Sequence, residues 1–352
     1  MLFGYLFIRE LEREDTVKDT AAVILIGVMT ILSGCISTPE DLPSSEEFTL
    51  VFQSGFEPDS NHVFDDIIGA PCSDDIRGND SSVFLGDWEN DLEGGVIEQS
   101  MFCFGGGDRT QRGINLVPDS EASDNQVLHM WILEPAEDVS DSDDIPCNGE
   151  GGDQRKARAQ HVLKGLDGVF GFHYEVRLKL GHSFTNLSES EYEFNWMTIG
   201  EFWNNLPTED YSFRVTLNLI KPDNQSGTPF YFGIKGESQA ENSKEWISEW
   251  EEAIVTQEVV PIGEWFTLDI TLIEGDQTNG EVILGITHGG ERREFVNLTD
   301  WTHHPDDPNP DGFSTLNTMK LYTSGGVMCG LKSEDLVLEA WWDDFRFEVK
   351  KS

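Results

Sequence analysis

Phe213-Arg214-Val215-Thr216-Leu217-Asn218-Leu219 alternates without a break: apolar residues at the odd positions, Arg, Thr and Asn between them. Successive side chains of a strand point to opposite faces, so this heptapeptide lays down one apolar face and one polar face. The apolar face must be covered by a second layer, while the polar face, with its cation and amide, is free to meet a ligand. Working outward, short runs of the same type recur at 48–52, 127–133, 157–163, 172–180, 194–202, 230–234, 265–272, 282–286, 319–322 and 336–349. Gly, Pro, Asn and Asp clusters separate them, as strand punctuation requires. Helical periodicity is nearly absent. The exception is 240–253, where Trp246 and Trp250 at helical spacing predict one short helix. Many short strands with polar turns predict an all-β sandwich or jelly roll.

The chain has 352 residues and a formal charge of −43, with 66 acidic against 23 basic side chains. Residues 1–34 hold three basic and five acidic residues, which leaves the remainder near −41. Such an excess favours solubility and suits salty surroundings. It excludes nucleic acid as a partner, because phosphate binding needs a basic footprint. Acidic side chains also supply the hard oxygens that calcium takes.

At the N-terminal end, an apolar run from Ala21 to Ile31 closes on Leu32-Ser33-Gly34-Cys35. The run is too short for a bilayer span, which takes about 20 residues. The order of small residues before a Cys resembles a bacterial lipobox, so 1–34 is expected to be a signal peptide and Cys35 the lipidated N-terminus. Glu10, Glu12, Glu14 and Asp15 do not suit a basic signal start. Initiation at Val17 from an alternative start codon removes them; the other reading is an amphipathic leader. Residues 35–47 form a polar, proline-containing tether, and 48–352 the folded domain. The protein is therefore expected to be exported and held at the cell envelope by its lipid.

Setting Cys35 aside leaves Cys72, Cys103, Cys147 and Cys329. No CxxC pair suggests zinc. An even number in an oxidising compartment predicts two disulfides, with three pairings open. The acidic, glycine-rich stretch 138–152 reads as a long surface loop pinned by Cys147.

Family likeness sits at both ends of the domain. The opening strand leads into Gly55-Phe56-Glu57-Pro58, and the closing one reads Trp341-Trp342-Asp343-Asp344-Phe345-Arg346-Phe347. Between them lie 261–268 (PIGEWFTL) and 320–325 (KLYTSG). Together these resemble the concanavalin A-like lectin/glucanase superfamily, and within it the polysaccharide-lyase-like and laminin-G-like jelly rolls. The resemblance covers roughly residues 48–350. It implies two curved antiparallel sheets with a glycan in the concave groove, and first and last strands side by side on the convex sheet. Members often hold a structural calcium there, and Glu57 and Asp344 match those positions; the other reading makes Glu57 and Asp343 solvated turn residues.

The candidate site follows from strand period. Lys156, Arg158 and Gln160 share one face of their strand, with Ala157, Ala159 and His161 on the other. Arg155, Lys156 and Arg158 cluster in a chain poor in cations, which points to an anionic ligand such as a uronate, or else to pairing with the acidic loop before them. Simple alternation puts Glu201 and Trp203 on one face with Met197 and Ile199, and Arg214 with Asn218 on the polar face of the next strand. Lys320 and Tyr322 share a face further on. An aromatic ring stacks on a sugar while polar groups take its hydroxyls.

In the jelly-roll lyases that the chain resembles, Arg, an amide, His and Tyr cleave a uronate glycan by β-elimination. Here Arg158, Gln160, Lys320 and Tyr322 are the expected catalytic set, with Lys156, Glu201, Trp203, Arg214 and Asn218 expected to bind substrate. The match is partial: Gln160 and His161 are adjacent rather than alternate, so they face opposite ways. Hydrolysis needs paired carboxylates, and no Glu-x-Asp-x-x-Glu run is present. No serine elbow is present either. Trp301-Thr302-His303-His304 reads better as an ordered loop than as a metal site. Three functions stand: a uronate lyase, a non-catalytic glycan-binding lipoprotein, and a structural or adhesive surface domain.

Overall fold

Among the described residues every strand pairing but one is antiparallel, and the strands form two sheets packed face to face. The computed structural model describes residues 48–56, 70–71, 97, 99–105, 110–122, 124–133, 156–166, 168–190, 194–207, 209–222, 226–239, 245–253 and 258–351. The expected signal and tether (1–47), Glu57, Cys72, Cys147, Arg155 and the stretch 138–152 lie outside them. In chain order the strands are β1 (Thr49–Ser54), β2 (Ala70–Pro71), β3 (Gln99–Gly105), β4 (Arg112–Pro118), β5 (Gln126–Ile132), β6 (Ala157–Lys164) and β7 (Val169–Leu180). Helix α1 (Ser183–Glu189) precedes β8 (Phe194–Trp203), β9 (Phe213–Lys221), β10 (Tyr231–Gln239), β11 (Trp246–Ala253), β12 (Trp265–Ile273), β13 (Glu281–His288) and β14 (Glu291–Thr299). Then come β15 (Thr315–Asn317), β16 (Lys320–Thr323), helix α2 (Gly325–Glu334) and β17 (Leu338–Lys351).

The first sheet has the order β14-β13-β12-β7-β17-β5-β4, with β1 paired to β17. The second runs β11-β10-β9-β8-β15-β6-β3-β2, and β16 continues the lane of β15 between β6 and β8. This is the expected all-β jelly-roll sandwich, with first and last strands adjacent as the family likeness implies. The one parallel pairing is the two-residue β2 against β3.

The core lies between the sheets. Phe172 and Tyr174 of β7 meet Phe202 of β8 at ring distances of 5.2 and 5.9 Å, and Phe345 of β17 meets His161 of β6 at 5.9 Å. Period two puts them there: along β7 every second residue is buried. The closing strand shows how that period is broken. Leu338, Ala340 and Trp342 point inward, then Phe345, Phe347 and Val349 do, because a bulge at Asp343–Asp344 shifts the register and Asp344 takes a φ of 47°. A bulge inserts one residue and so exchanges the two faces beyond it.

Two departures from the sequence reading have the same origin. The stretch expected to be a helix is strand β11, hydrogen-bonded along β10. Its register slips at Gly236–Glu237, so Trp246 faces away from the core while Trp250 turns into it. Gly236 makes room, since a Cβ there would lie 2.4 Å from the Trp250 ring. The indole of Trp250 donates from Nε1 to the carbonyl of Trp301 at 2.6 Å. In β8 the register slips between Thr198 and Gly200. Met197 and Ile199 are therefore core residues, whereas Glu201 and Trp203 join the polar face, which corrects the expectation that the four share one side.

Cys103 and Cys329 are disulfide-bonded cysteines. Cys72 and Cys147 fall outside the described residues, so two bridges among the four stay an expectation with the pairing open. No described helix is long and apolar enough to cross a membrane.

Candidate functional site

The lane of β15 and β16 assembles the site. β16 is antiparallel to β6, and its register sets Lys320 opposite Gln160 and Tyr322 opposite Arg158. Residues directly opposite on an antiparallel pair share a face. All four expected catalytic residues therefore stand together on the face turned away from the core, with Ala157, Ala159, Leu163 and Leu321 beneath them. The same face continues across β8 and β9, where Thr198 is opposite Asn218, Glu201 opposite Thr216, and Trp203 opposite Arg214. β10 then adds Lys235 and Glu237.

The floor of the site is a buried charge network. Glu201 is 5% exposed and Lys320 only 1%. The Glu201 carboxylate accepts from the Lys320 ammonium, from Arg214 Nη1 at 3.0 Å and from Asn317 Nδ2 at 3.4 Å. Burial pushes the Glu201 carboxyl up, but Lys320 and Arg214 outweigh it and hold it down at about 2. Burial also lowers Lys320, to about 8, against the pull of Glu201. Glu201 was expected to bind substrate; its oxygens are instead engaged within the network, where they anchor two cations. Asn218 is likewise held in place, accepting from Thr198 Oγ1 at 2.8 Å and donating to Thr216 Oγ1 at 3.1 Å.

Above this floor the reachable groups are Arg158, Tyr322, Lys156 and Trp196, all half-buried. The Tyr322 ring lies 5.2 Å from Trp196 and 4.8 Å from the Lys320 ammonium, and Lys156 Nζ lies 5.4 Å from the Trp196 ring. Gln160 is nearly covered, with its amide 3.5 Å from Cys103 Sγ. Further along, the Arg214 guanidinium lies 4.0 Å from the Trp246 ring and 5.5 Å from Trp203, and pairs with Glu237 at 2.9 Å. Sequence reasoning missed Trp196. Its spacing of two from Thr198 is the only signal, and it becomes readable only once Thr198 is seen opposite Tyr322.

His161 faces the core, as its parity with Gln160 requires. It is fully buried, stacks on Phe102 at 4.7 Å and shares hydrogen bonds with Ser100 and Thr318, both at 2.8 Å. Burial lowers its pKa to about 3, so the ring is neutral at ordinary pH. It is not placed to touch a substrate on the other face.

Among the described residues no pair of free carboxylates is assembled on this face. Glu201 and Glu237 are both bound by cations, Glu237 by Arg214 and by Lys235 at 2.6 Å. The 301–304 segment is an ordered loop: Thr302 donates to the Ile273 carbonyl at 2.8 Å, and His303 and His304 pack on Trp301 and Tyr211. Among the described residues no group of three His, Cys, Asp or Glu can hold a metal. At the calcium position, Asp344 lies exposed on the β17 bulge, but neighbouring Asp343 is engaged by Arg177 and Asn125. Glu57 lies outside the described residues, and what is described falls short of the 6–8 oxygens calcium takes.

No protein-family model and no curated protein matches the chain. Among solved structures it is similar to an endo-β-1,4-glucuronan lyase from the fungus Trichoderma reesei, at 9% identity over 73% of this chain and 92% of that one, with a TM-score of 0.43. An alginate lyase solved with an alginate trisaccharide is similar at 8% identity over 78% and 95%, with a TM-score of 0.41. A marine alginate lyase from Aplysia kurodai is similar at 8% identity over 67% and 87%, with a TM-score of 0.38. These structural neighbours are polysaccharide lyases; at this level of likeness, the function of the present chain has to be argued from its own residues.

Proposed function

We propose that this protein cleaves a uronate-containing polysaccharide by β-elimination. One observation carries the reading: the β6–β16 register stands Arg158, Gln160, Lys320 and Tyr322 side by side. Lys156, Arg158, Lys320, Arg214 and Lys235, five of the chain's 23 Lys and Arg, share that face in a chain of charge −43. Arg158, with the largely covered Gln160 amide beside it, neutralises the substrate carboxylate, which stabilises the charge that develops when the C5–H bond breaks. Tyr322, as phenolate, takes the C5 proton, with the Lys320 ammonium 4.8 Å from its ring. The C5 electron pair forms the C4=C5 double bond as the C4–O4 bond breaks. The Tyr322 phenol then returns the proton to the departing O4, so no other acid or base is consumed.

The burial of Lys320 favours a second reading, a glycan-binding protein in which that lysine only shapes the floor. Assays on alginate, glucuronan and a neutral glucan separate the two, because only elimination creates the ultraviolet-absorbing unsaturated product. We expect product from a uronate polymer and none from the glucan. Arg158→Ala should slow the reaction roughly 10²–10³-fold, and Tyr322→Phe should stop it while leaving binding intact. Uronate binding without any absorbing product would leave only the second reading.

The proposal includes export and lipid anchorage at Cys35. Cys35→Ala should move the protein from the membrane fraction to the soluble one. A variant that stays with the membrane would mean that another anchor holds it.

A further inference from the structure

The polar face is not uniform along its length. Around β6 and β16 it carries Lys156, Arg158 and Lys320 against Glu201. Around β9, β10 and β11 the cations Arg214 and Lys235 are met by Glu237. β11 adds Glu251, exposed and directly opposite Lys235. Positive charge is thus concentrated at one end, and the other end is balanced or negative before any ligand arrives. That second end also carries an aromatic platform. The slip between β10 and β11 turns Trp246 onto this face. There its indole is half-buried, with Arg214 at 4.0 Å and Trp203 edge-on at 5.5 Å.

These two ends suit different sugars. A uronate carboxylate is matched by the cations beside Tyr322. At the far end a second carboxylate would meet Glu237 and Glu251, and a like-charge approach is a penalty built into specificity. A neutral ring carries no such penalty. Its C–H face can stack on Trp246, and Glu251 and Ser248 can accept its hydroxyl protons. Two strand spacings put β9 about 10 Å across the sheet from β16, and the five residues from Thr198, opposite Tyr322, to Trp203, opposite Arg214, add roughly 17 Å along the strands. A reacting sugar and its next neighbours in one chain would bridge that span.

We propose that the site takes a mixed glycan, in which the reacting uronate is joined through a short span to a neutral sugar seated on Trp246. This rests on the uronate site described above and narrows its substrate from a homopolymer of uronate to a heteropolysaccharide. The test uses the Tyr322→Phe chain, so that ligands are bound and not consumed. Calorimetry compares two tetrasaccharides, one of glucuronate alone and one alternating glucuronate with glucose.

The alternating ligand should bind at least about tenfold more tightly. Trp246→Ala should weaken it roughly tenfold, the loss expected on truncating an aromatic anchor. Glu251→Lys should shift the preference toward the all-glucuronate ligand without requiring Trp246 to be touched. Equal affinity for the two ligands, or a preference that Glu251→Lys leaves unchanged, overturns the inference while the uronate site stands. If neither ligand binds, the uronate reading itself falls.

Discussion

Glu201→Ala should lower folding stability by roughly 3–5 kcal/mol, the usual result of removing one partner of a buried ion pair. Lys320 is 1% exposed and would be left with its charge in a site that water barely reaches. Arg214 would lose the same carboxylate but keep Glu237. The cost therefore falls mainly on Lys320, and a paired change is informative. Replacing both members by apolar groups of similar volume is often close to neutral, so Glu201→Leu with Lys320→Met should recover most of the loss. Urea unfolding of the single and double variants measures both. A double variant as unstable as the single one would show that the network acts through Arg214 and Asn317 instead. The carboxyl of Glu201 is lowered, so its contribution is complete above the ordinary carboxylate range. It is lost only as pH falls from about 4.5 toward 2.

A second large effect is expected at His161 of β6, on the core side of the same sheet. Its pKa falls from 6.5 to about 3 because the folded core leaves no room for a hydrated cation. Between those values the unfolded chain binds a proton that the folded chain refuses, so stability falls as pH drops below 6.5. The full difference amounts to roughly 5 kcal/mol, of which roughly 3 kcal/mol is lost by pH 4. Glu274 and Asp343 act in the opposite sense: burial raises them to about 7 and about 6, so the folded state gains protons first as pH falls. The His161 effect is therefore read as a difference. His161→Gln should cost stability at pH 7 through lost packing and hydrogen bonds, yet the gap to the parent should shrink by roughly 3 kcal/mol at pH 4. A gap that is the same at both pH values would mean that His161 is not what acid attacks.

These two residues show how much of the site a sequence can carry. Gln160 and His161 are neighbours, and the pleat alone sends one to the polar face and the other to the core. The same local rule puts Arg158 with Gln160, Lys320 with Tyr322, and Arg214 with Asn218. It fails at Glu201 and Trp246. Each lies beyond a bulge, and a bulge is defined by the partner strand that it slips against, which no short window contains. The helix expected over 240–253 fails for that reason too. Trp246 and Trp250 are spaced for one helical face, but in the fold one lies on the polar side of a strand and the other in the core, over Gly236.

Strand period, turn residues and the charge pattern of the chain by themselves determined the all-β class, the inward and outward residues of the regular strands, and the place of the basic cluster in the chain. Each of these depends on neighbours a few residues apart, where backbone geometry alone dictates which side chains share a face. Only the tertiary structure decided that residues 158–160 and 320–322, far apart in the chain, lie in adjacent lanes. It alone turned Glu201 from a sugar ligand into the buried counter-ion of Lys320 and Arg214. Those are facts of pairing and register, set by the packing of two whole sheets around one core, and the energy that selects them is spread over contacts that no single segment holds.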